Sequence, residues 1–300
     1  MAIITPALLT SLRTGYSKAF QDALAATPTD WAKVATRVPS SNTSNTYGWL
    51  GQFPKLREWV GDRVLKDMAA SGYQITNKLF EGTVAVKRTD IEDDNVGIYT
   101  PLFAEMGRAA AAHPDELVFG LLAAGESTLC YDGQAFFDTD HPVYPNVDGT
   151  GNATTVSNLQ AGSGAPWYLL DCSRALKPLI FQERTTPELE SLTSTQDEGV
   201  FMRDEYRFGV RYRCNAGFGF WQMAYKSKAA LTEANFNAAM AAMMQIQADG
   251  GRPLGVRPTH LLVGPSLRAD ALKLVESQLT GGGDSNPNYK AVQVIVSPWL

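Results

Sequence analysis

The sequence predicts a protein of mixed helices and strands with an α/β layer in its second half. Three observations predict this class. Apolar residues recur at helical spacing after Thr5, after Tyr99 and after Thr232. The segment from Phe201 to Arg213 alternates apolar and charged residues, as a half-buried strand does. A helix–strand–helix run follows between Thr232 and Val275.

The elements follow in chain order. Thr5 suits a helix cap and Pro6 the first helical position, with Leu8, Leu9, Leu12, Tyr16, Phe20 and Leu24 on one stripe that fades at Thr27-Pro28. Val38 to Tyr47 is small, polar and aperiodic, which reads as an extended arm or linker. Arg63–Met68 and Tyr73–Leu79 read as two strands of a ribbon turning at Ala70-Ser71-Gly72, and Thr83–Val86 as a third stretch. This ribbon, within residues 57–88, offers little to bury on either face and needs something else to lie against.

A long helix is expected over 99–125, capped at Thr100, kinked or restarted at His113-Pro114 and ended by Gly125. Asp115 and Glu116 then fall in a first turn, where the helix dipole favours them. Residues 127–165 read as loops and short strands. In the Phe201–Arg213 strand, Arg203, Glu205, Arg207, Arg211 and Arg213 share the wet face, and Met202, Tyr206, Phe208, Val210 and Tyr212 the buried one. The helix after Thr232 carries Phe236, Met240, Met243 and Met244 and ends at Gly250-Gly251. Strands at His260–Val263 and Val292–Val296 flank a helix opened by Pro265-Ser266 and a loop at Thr280–Ser285.

Composition narrows the function. The 300 residues hold 26 Lys/Arg and 31 Asp/Glu, a net charge of −5. That length fits one large or two modest domains. No apolar run is long enough for a membrane span, and no basic cluster precedes an apolar stretch as in a secretory signal. The acidic balance is unsuited to tight duplex binding. The charge is uneven: residues 1–90 hold eleven basic and seven acidic side chains, net +4, which leaves −9 for residues 91–300. Such halves attract each other between copies of a chain. Cys130, Cys172 and Cys214 are too far apart for a metal knuckle or redox pair and read as small buried hydrophobes in a reducing compartment.

Catalytic signals are sparse. Gly-rich phosphate loops, HExxH and GxSxG are absent. Asp138-Thr139-Asp140-His141 gathers two carboxylates and an imidazole, the residue types of a metal-dependent enzyme, but the same carboxylates also cap a turn before Pro142. His260 beside an apolar strand reads as a core histidine. The methionines after Thr232 read as packing, and the Arg face as solvated or inter-subunit. No catalytic, cofactor-binding or metal residue is assigned, and no cofactor is expected.

Several stretches resemble the major head subunit (gpT) of Mu-like phages and prophages. They are Met1–Leu9, Tyr47-Gly48-Trp49-Leu50-Gly51, Leu56-Arg57-Glu58-Trp59, Phe80–Val84, Asp90–Asp94, Tyr131–Pro142, Arg252–Leu261 and the closing Pro298-Trp299-Leu300. The Tyr131–Pro142 stretch is the most specific, and together they span essentially the whole chain.

The resemblance implies an α+β, HK97-type major capsid fold. Its parts would be an N-terminal arm at 1–46, an E-loop hairpin region at 47–90 with its tip near Gly72, a peripheral domain with a long spine helix at 91–165, an axial domain at 166–290, and a closing strand at 291–300 returning to the peripheral domain. It implies self-assembly as hexamers and pentamers of an icosahedral shell, in the virion, after assembly in the bacterial host cytoplasm. It implies further partners: a separate scaffold and protease, since the first helix begins too early for a scaffolding segment, a portal, room for a decoration protein, and packaged double-stranded DNA in weak non-specific contact. A membrane is not among them. An encapsulin-like container with other cargo, and an enzyme on Asp138, Asp140 and His141, are the competing readings.

Overall fold

The structure, a computed structural model, describes residues 4–50, 72–93, 96–147, 149–194 and 197–300. The chain runs α1 (Pro6–Ala26), α2 (Trp31–Val34), β1 (Ala35–Pro39), β2 (Ser44–Thr46), β3 (Gln74–Thr76), β4 (Lys78–Lys87), α3 (Arg88–Glu92) and α4 (Thr100–Ala123). Then come β5 (His141–Val143), β6 (Thr154–Val156), β7 (Leu159–Gln160), β8 (Trp167–Leu170), β9 (Leu179–Leu192), α5 (Glu198–Arg203) and β10 (Glu205–Phe218). The last part holds β11 (Ala224–Ser227), α6 (Glu233–Met244), β12 (Gln247–Ala248), β13 (Arg252–Pro253), β14 (His260–Val263), α7 (Arg268–Val275) and β15 (Gln293–Val296). Among the described residues, no helix is long and apolar enough to cross a membrane.

Two sheets organise these elements. The first has the order β1-β9-β10-β4, with β1 parallel to β9 and the long β9 and β10 antiparallel. The second has the order β15-β14-β8-β11-β7. Its middle strand, β8, is buried along its whole length from Trp167 to Leu170, as a strand covered on both faces must be. Val118, Phe119 and Leu122 of α4 join Phe136, Phe137, β8 and Phe236 of α6 in the main core. Tyr16 of α1, Phe103 of α4, and Tyr206 and Phe208 of β10 form a second core.

Local signals account for most element starts. The Thr5 hydroxyl accepts the Leu8 N–H, and Thr232 accepts the Asn235 N–H, so both predicted caps hold. On β10, Tyr206, Phe208, Val210 and Tyr212 are buried while Arg207, Arg211 and Arg213 lie on the other face, as the alternation requires.

Other expectations give way. Thr100 lies inside α4, whose cap position is Tyr99, and α4 continues through Pro114 without a break. The Asp115 carboxylate therefore serves another helix: it accepts the N–H groups of Asp30 and Trp31 at the start of α2, at 3.0 and 2.6 Å. Phe201 and Met202 belong to α5 and are exposed at 82% and 69%; their apparent alternation continues past the true strand start at Glu205. Met244 is exposed at the end of α6, and Gly250-Gly251 lies in the turn between β12 and β13, where both glycines have positive φ. The polar 38–47 segment is no free linker, because β1 and β2 are both paired.

The ribbon is also redrawn. Residues 78–87 pair with β10 along their full length, with Phe80, Val84 and Val86 turned inward. Gly72 adjoins the ribbon base rather than its tip, since the Tyr73 carbonyl accepts the Tyr47 N–H at 2.9 Å. The predicted strand at 63–68 lies outside the described residues. The chain end differs as well. β15 pairs in parallel with β14 in the second sheet, while β9 and β10, from inside the 166–290 stretch, form the sheet covered by α4. Strand length explains this. The fourteen-residue strands match the long α4, and the four-residue β15 matches β14 residue for residue.

The close approach of α1 to α4 depends on one glycine. A Cβ built on Gly107 would lie 2.2 Å from the Phe20 carbonyl oxygen, a backbone atom that cannot rotate away. Gly107→Ala should force the helices apart and cost about 1–3 kcal/mol, measured by denaturant unfolding. Wild-type stability in that variant would show that the two helices do not pack this way.

Candidate assembly surfaces

Three surface features stand out, and each is set by the two-sheet frame. The first is the anchored base of the ribbon. Leu50 and Ile75 are buried in one cluster with Tyr47, Ile180, Phe220 and Met223, so the 51–71 segment is flanked on both sides by the same cluster. A buried polar network reinforces it. The Tyr47 hydroxyl donates to Gln182 Oε1 at 2.8 Å, and Gln182 Nε2 donates to the Ile75 carbonyl at 3.0 Å and to Asn77 Oδ1 at 2.8 Å. Asn77 Nδ2 in turn donates to the Asn42 carbonyl and to Ser40 Oγ. Losing one member would leave buried polar groups unpaired, at about 1–3 kcal/mol each.

The second feature is the wet face of the four-stranded sheet. Glu188 of β9, Arg211 of β10 and Glu81 of β4 stand in one cross-strand row. Arg37 pairs with Glu183, and Arg207 with Glu205 at 2.7 Å. Arg37, Glu183, Glu188, Glu190 and Arg211 line an open groove of about 630 Å³. A neighbouring groove of about 400 Å³ shares Glu190 and Arg211. Acid and base alternate here, so the predicted Arg face is not a phosphate-binding surface; it suits a partner that is itself mixed in charge.

The third feature is apolar. Phe201 and Met202 on α5 and Leu192 at the end of β9 are exposed at one end of this sheet. Exposed aromatic and Met side chains in a group mark interaction surfaces more often than solvent faces.

The residues read as an enzyme centre do not converge. The Asp138 carboxylate accepts its neighbour's N–H, from Thr139 at 2.7 Å, as the turn-capping reading expects. Burial raises the Asp138 pKa, but the Thr139 N–H and the hydrogen bond with Asp140 together outweigh it and hold it low. The same bond and charge push the exposed Asp140 up. His141 makes its hydrogen bond elsewhere. It is fully buried, stacks on Trp221 at 4.0 Å, and its Nδ1 donates to Asp132 Oδ2 at 2.8 Å. The Cys130 thiol donates to the other oxygen, Asp132 Oδ1, at 3.0 Å. His260 is half-buried, with Nδ1 on Thr259 Oγ1 at 2.8 Å, and burial lowers its pKa.

All three cysteines are free, and burial pushes Cys172 and Cys214 up to about 12 and Cys130 higher still. They remain thiols, as the sequence reading expects. Sequence reasoning missed the partnership of Cys130 and Asp132 with His141. The visible signal was Cys-x-Asp-Gly, the residues of a tight turn, but the partner strand nine residues on could not be read from spacing.

One partly buried ion-pair group ties the end of α4 to β11 and the residue just after it. Lys226, 4% exposed, reaches Glu126 Oε1 at 2.7 Å, and Lys228 reaches Glu126 Oε2 at 2.7 Å. The Lys226 ammonium also lies 5.3 Å from the Tyr168 ring centre. Burial alone would raise the Glu126 pKa, but the two lysines outweigh it and hold the carboxyl below its usual value.

The family described as Mu-like prophage major head subunit gpT matches residues 9–300. The chain is 51% identical over 304 residues to the major capsid protein of Escherichia phage Mu, covering 99% of this chain and 100% of that protein. It superposes on the subunit of the bacteriophage JBD30 procapsid with a TM-score of 0.88 at 64% identity, over 99% of this chain and 100% of the other. The JBD30 capsid decorated with minor capsid protein trimers gives a TM-score of 0.78 at 46% identity, over 100% of both chains.

A carboxyl held low in the fold stabilises it above its unfolded pKa and loses that contribution as pH falls through the folded value. Glu126 is held low, as is Asp132, where bonds from His141 and Cys130 outweigh burial. Stability should therefore hold from neutral pH to about pH 5 and fall below about pH 4. At pH 7, Glu126→Gln should cost about 1–3 kcal/mol by leaving Lys226 without its countercharge, less than a fully buried pair because Glu126 is partly exposed. Thermal unfolding across pH checks both; an unchanged E126Q midpoint contradicts the assignment.

Proposed function

The chain belongs to the family of Mu-like prophage major head subunits gpT, and we propose from that premise how its geometry builds a head. As a member it is a structural component of the phage capsid, with the α+β, HK97-type fold of such subunits, and not an enzyme. The container reading with non-genomic cargo is set aside, because relatives matching along the full length are phage heads.

Copies of the chain assemble as hexamers and pentamers into an icosahedral shell. Residues 1–46 act as the arm, the E-loop region within 47–90 reaches a neighbouring subunit from its anchored base, and α4 is the spine helix. The sheet of β15, β14, β8, β11 and β7, with α6 and α7, faces the capsomer centre. The mixed-charge face of the other sheet meets a neighbour of mixed charge, and the basic first third attracts the acidic remainder of the next copy.

A separate scaffold and protease, a portal, and packaged double-stranded DNA in weak contact complete the set, with assembly in the host cytoplasm. A decoration protein also belongs to it; the JBD30 capsid is decorated with minor capsid protein trimers. Many modest contacts per subunit and a closed surface make the shell stable. The observation that carries this reading is the superposition of essentially the whole chain on a procapsid subunit.

The full chain, expressed with and without a co-expressed scaffold, tests it. Size-exclusion with light scattering and negative-stain microscopy should find megadalton shells, tubes or capsomer rings in at least one condition. A small species in both, at low and high concentration, contradicts the proposal.

A further inference from the structure

We propose that Cys130, Asp132 and His141 form a binding site for one divalent metal ion of the zinc class, which ties the Cys130–Asp132 turn to the start of β5. The ligand atoms of these three residues lie within 4.8 Å of one another. A thiol, a carboxylate and an imidazole are the donor types that zinc takes in tetrahedral sites, at about 2.0–2.3 Å.

The donors stand on constrained elements. The Gly133 N–H donates to the Cys130 carbonyl at 3.2 Å, closing a tight turn that brings positions 130 and 132 to one side. Gly133 then takes the positive φ of 86° that this turn requires. The Gln134 N–H fixes Asp132 Oδ1 at 3.1 Å. His141, opening β5, is locked against Trp221 by ring stacking. Ligands supported this way lose little freedom when an ion arrives.

The surroundings suit an ion better than the bare trio. Asp132 also lines a cavity of about 160 Å³ bordered by Trp221, Gln222 and Asp249, which leaves room for a water beside its carboxylate. Without an ion, the Asp132 carboxylate, its side chain 11% exposed, is held by the His141 imidazole on one oxygen and by the Cys130 thiol on the other. The Cys130 thiol proton leaves to solvent as the sulfur takes the metal, and His141 binds through the Nδ1 lone pair with its ring proton on Nε2. A dication against one thiolate and one carboxylate then makes a neutral site. Nothing in this proposal depends on how the subunits assemble.

The test uses the purified full chain, stripped with chelator and reloaded with Zn²⁺ or Co²⁺. The expected result is about one retained Zn²⁺ per subunit after dialysis and, with Co²⁺, a thiolate-to-metal charge-transfer band. Cys172→Ser, outside the trio, should keep the band, and Cys130→Ser should lose it while retaining native circular dichroism. If C130S does not fold, X-ray absorption on the wild-type zinc form decides, with one sulfur in the first shell expected. Folded wild type that retains no Zn²⁺, a metal shell without sulfur, or uptake and band unchanged in C130S would each overturn the proposal.

Discussion

One strand constrains the rest of the molecule. β10 must bury one apolar face along fourteen residues, and that face enters two separate cores. Tyr206 and Phe208 at its start enter the core with α1 and α4, while Tyr212, Cys214 and Phe218 enter the main core with α4, Phe136 and β8. Its other neighbours follow from that. β9 and β4 satisfy its backbone on either side, and Gly217 lets Ile75 pack against its end, where a Cβ would lie 2.1 Å from that side chain. The ribbon base is therefore set by the same strand that ties the two layers together.

This constraint separates what is used inside the subunit from what is left for neighbours. The buried face of the first sheet is fully committed. Its opposite face carries alternating Arg and Glu with open grooves, and its far end carries Phe201, Met202 and Leu192. A subunit built this way is stable through its own core and still offers extended, chemically mixed surface. That division suits a part that must fold alone and then join many copies of itself.

The sequence made the helices and β10 legible because their signals are local. Thr5-Pro6 and Thr232 cap where they should, and the Tyr206-to-Tyr212 alternation names the buried face. It misplaced what depends on distant partners. Asp115 looks like a first-turn acid of its own helix, yet it caps α2, some eighty-five residues away in sequence. Phe201 and Met202 mimic a strand register by accident of composition and belong to a short helix ended by Asp204 in the left-handed region. Nothing in Val292–Val296 itself says which sheet it joins; the resemblance implies the peripheral domain, and pairing with β14 places it in the second sheet. Among the site candidates, Asp138 and Asp140 bond each other while His141 bonds Asp132, which Cys130 shares; those partners were visible only as turn residues and a buried thiol.

The central claim is that the fold closes on itself up to Leu50 and from Tyr73 onward, and that the segment between serves assembly. Replacing residues 54–68 with a short Gly-Ser linker tests it most directly, with thermal unfolding and electron microscopy on the same preparation. The account predicts a folded subunit whose melting temperature stays within about 4 °C of wild type and that forms no closed shells, with scaffold or without. Normal shells from this variant would contradict it, as would a subunit that no longer folds.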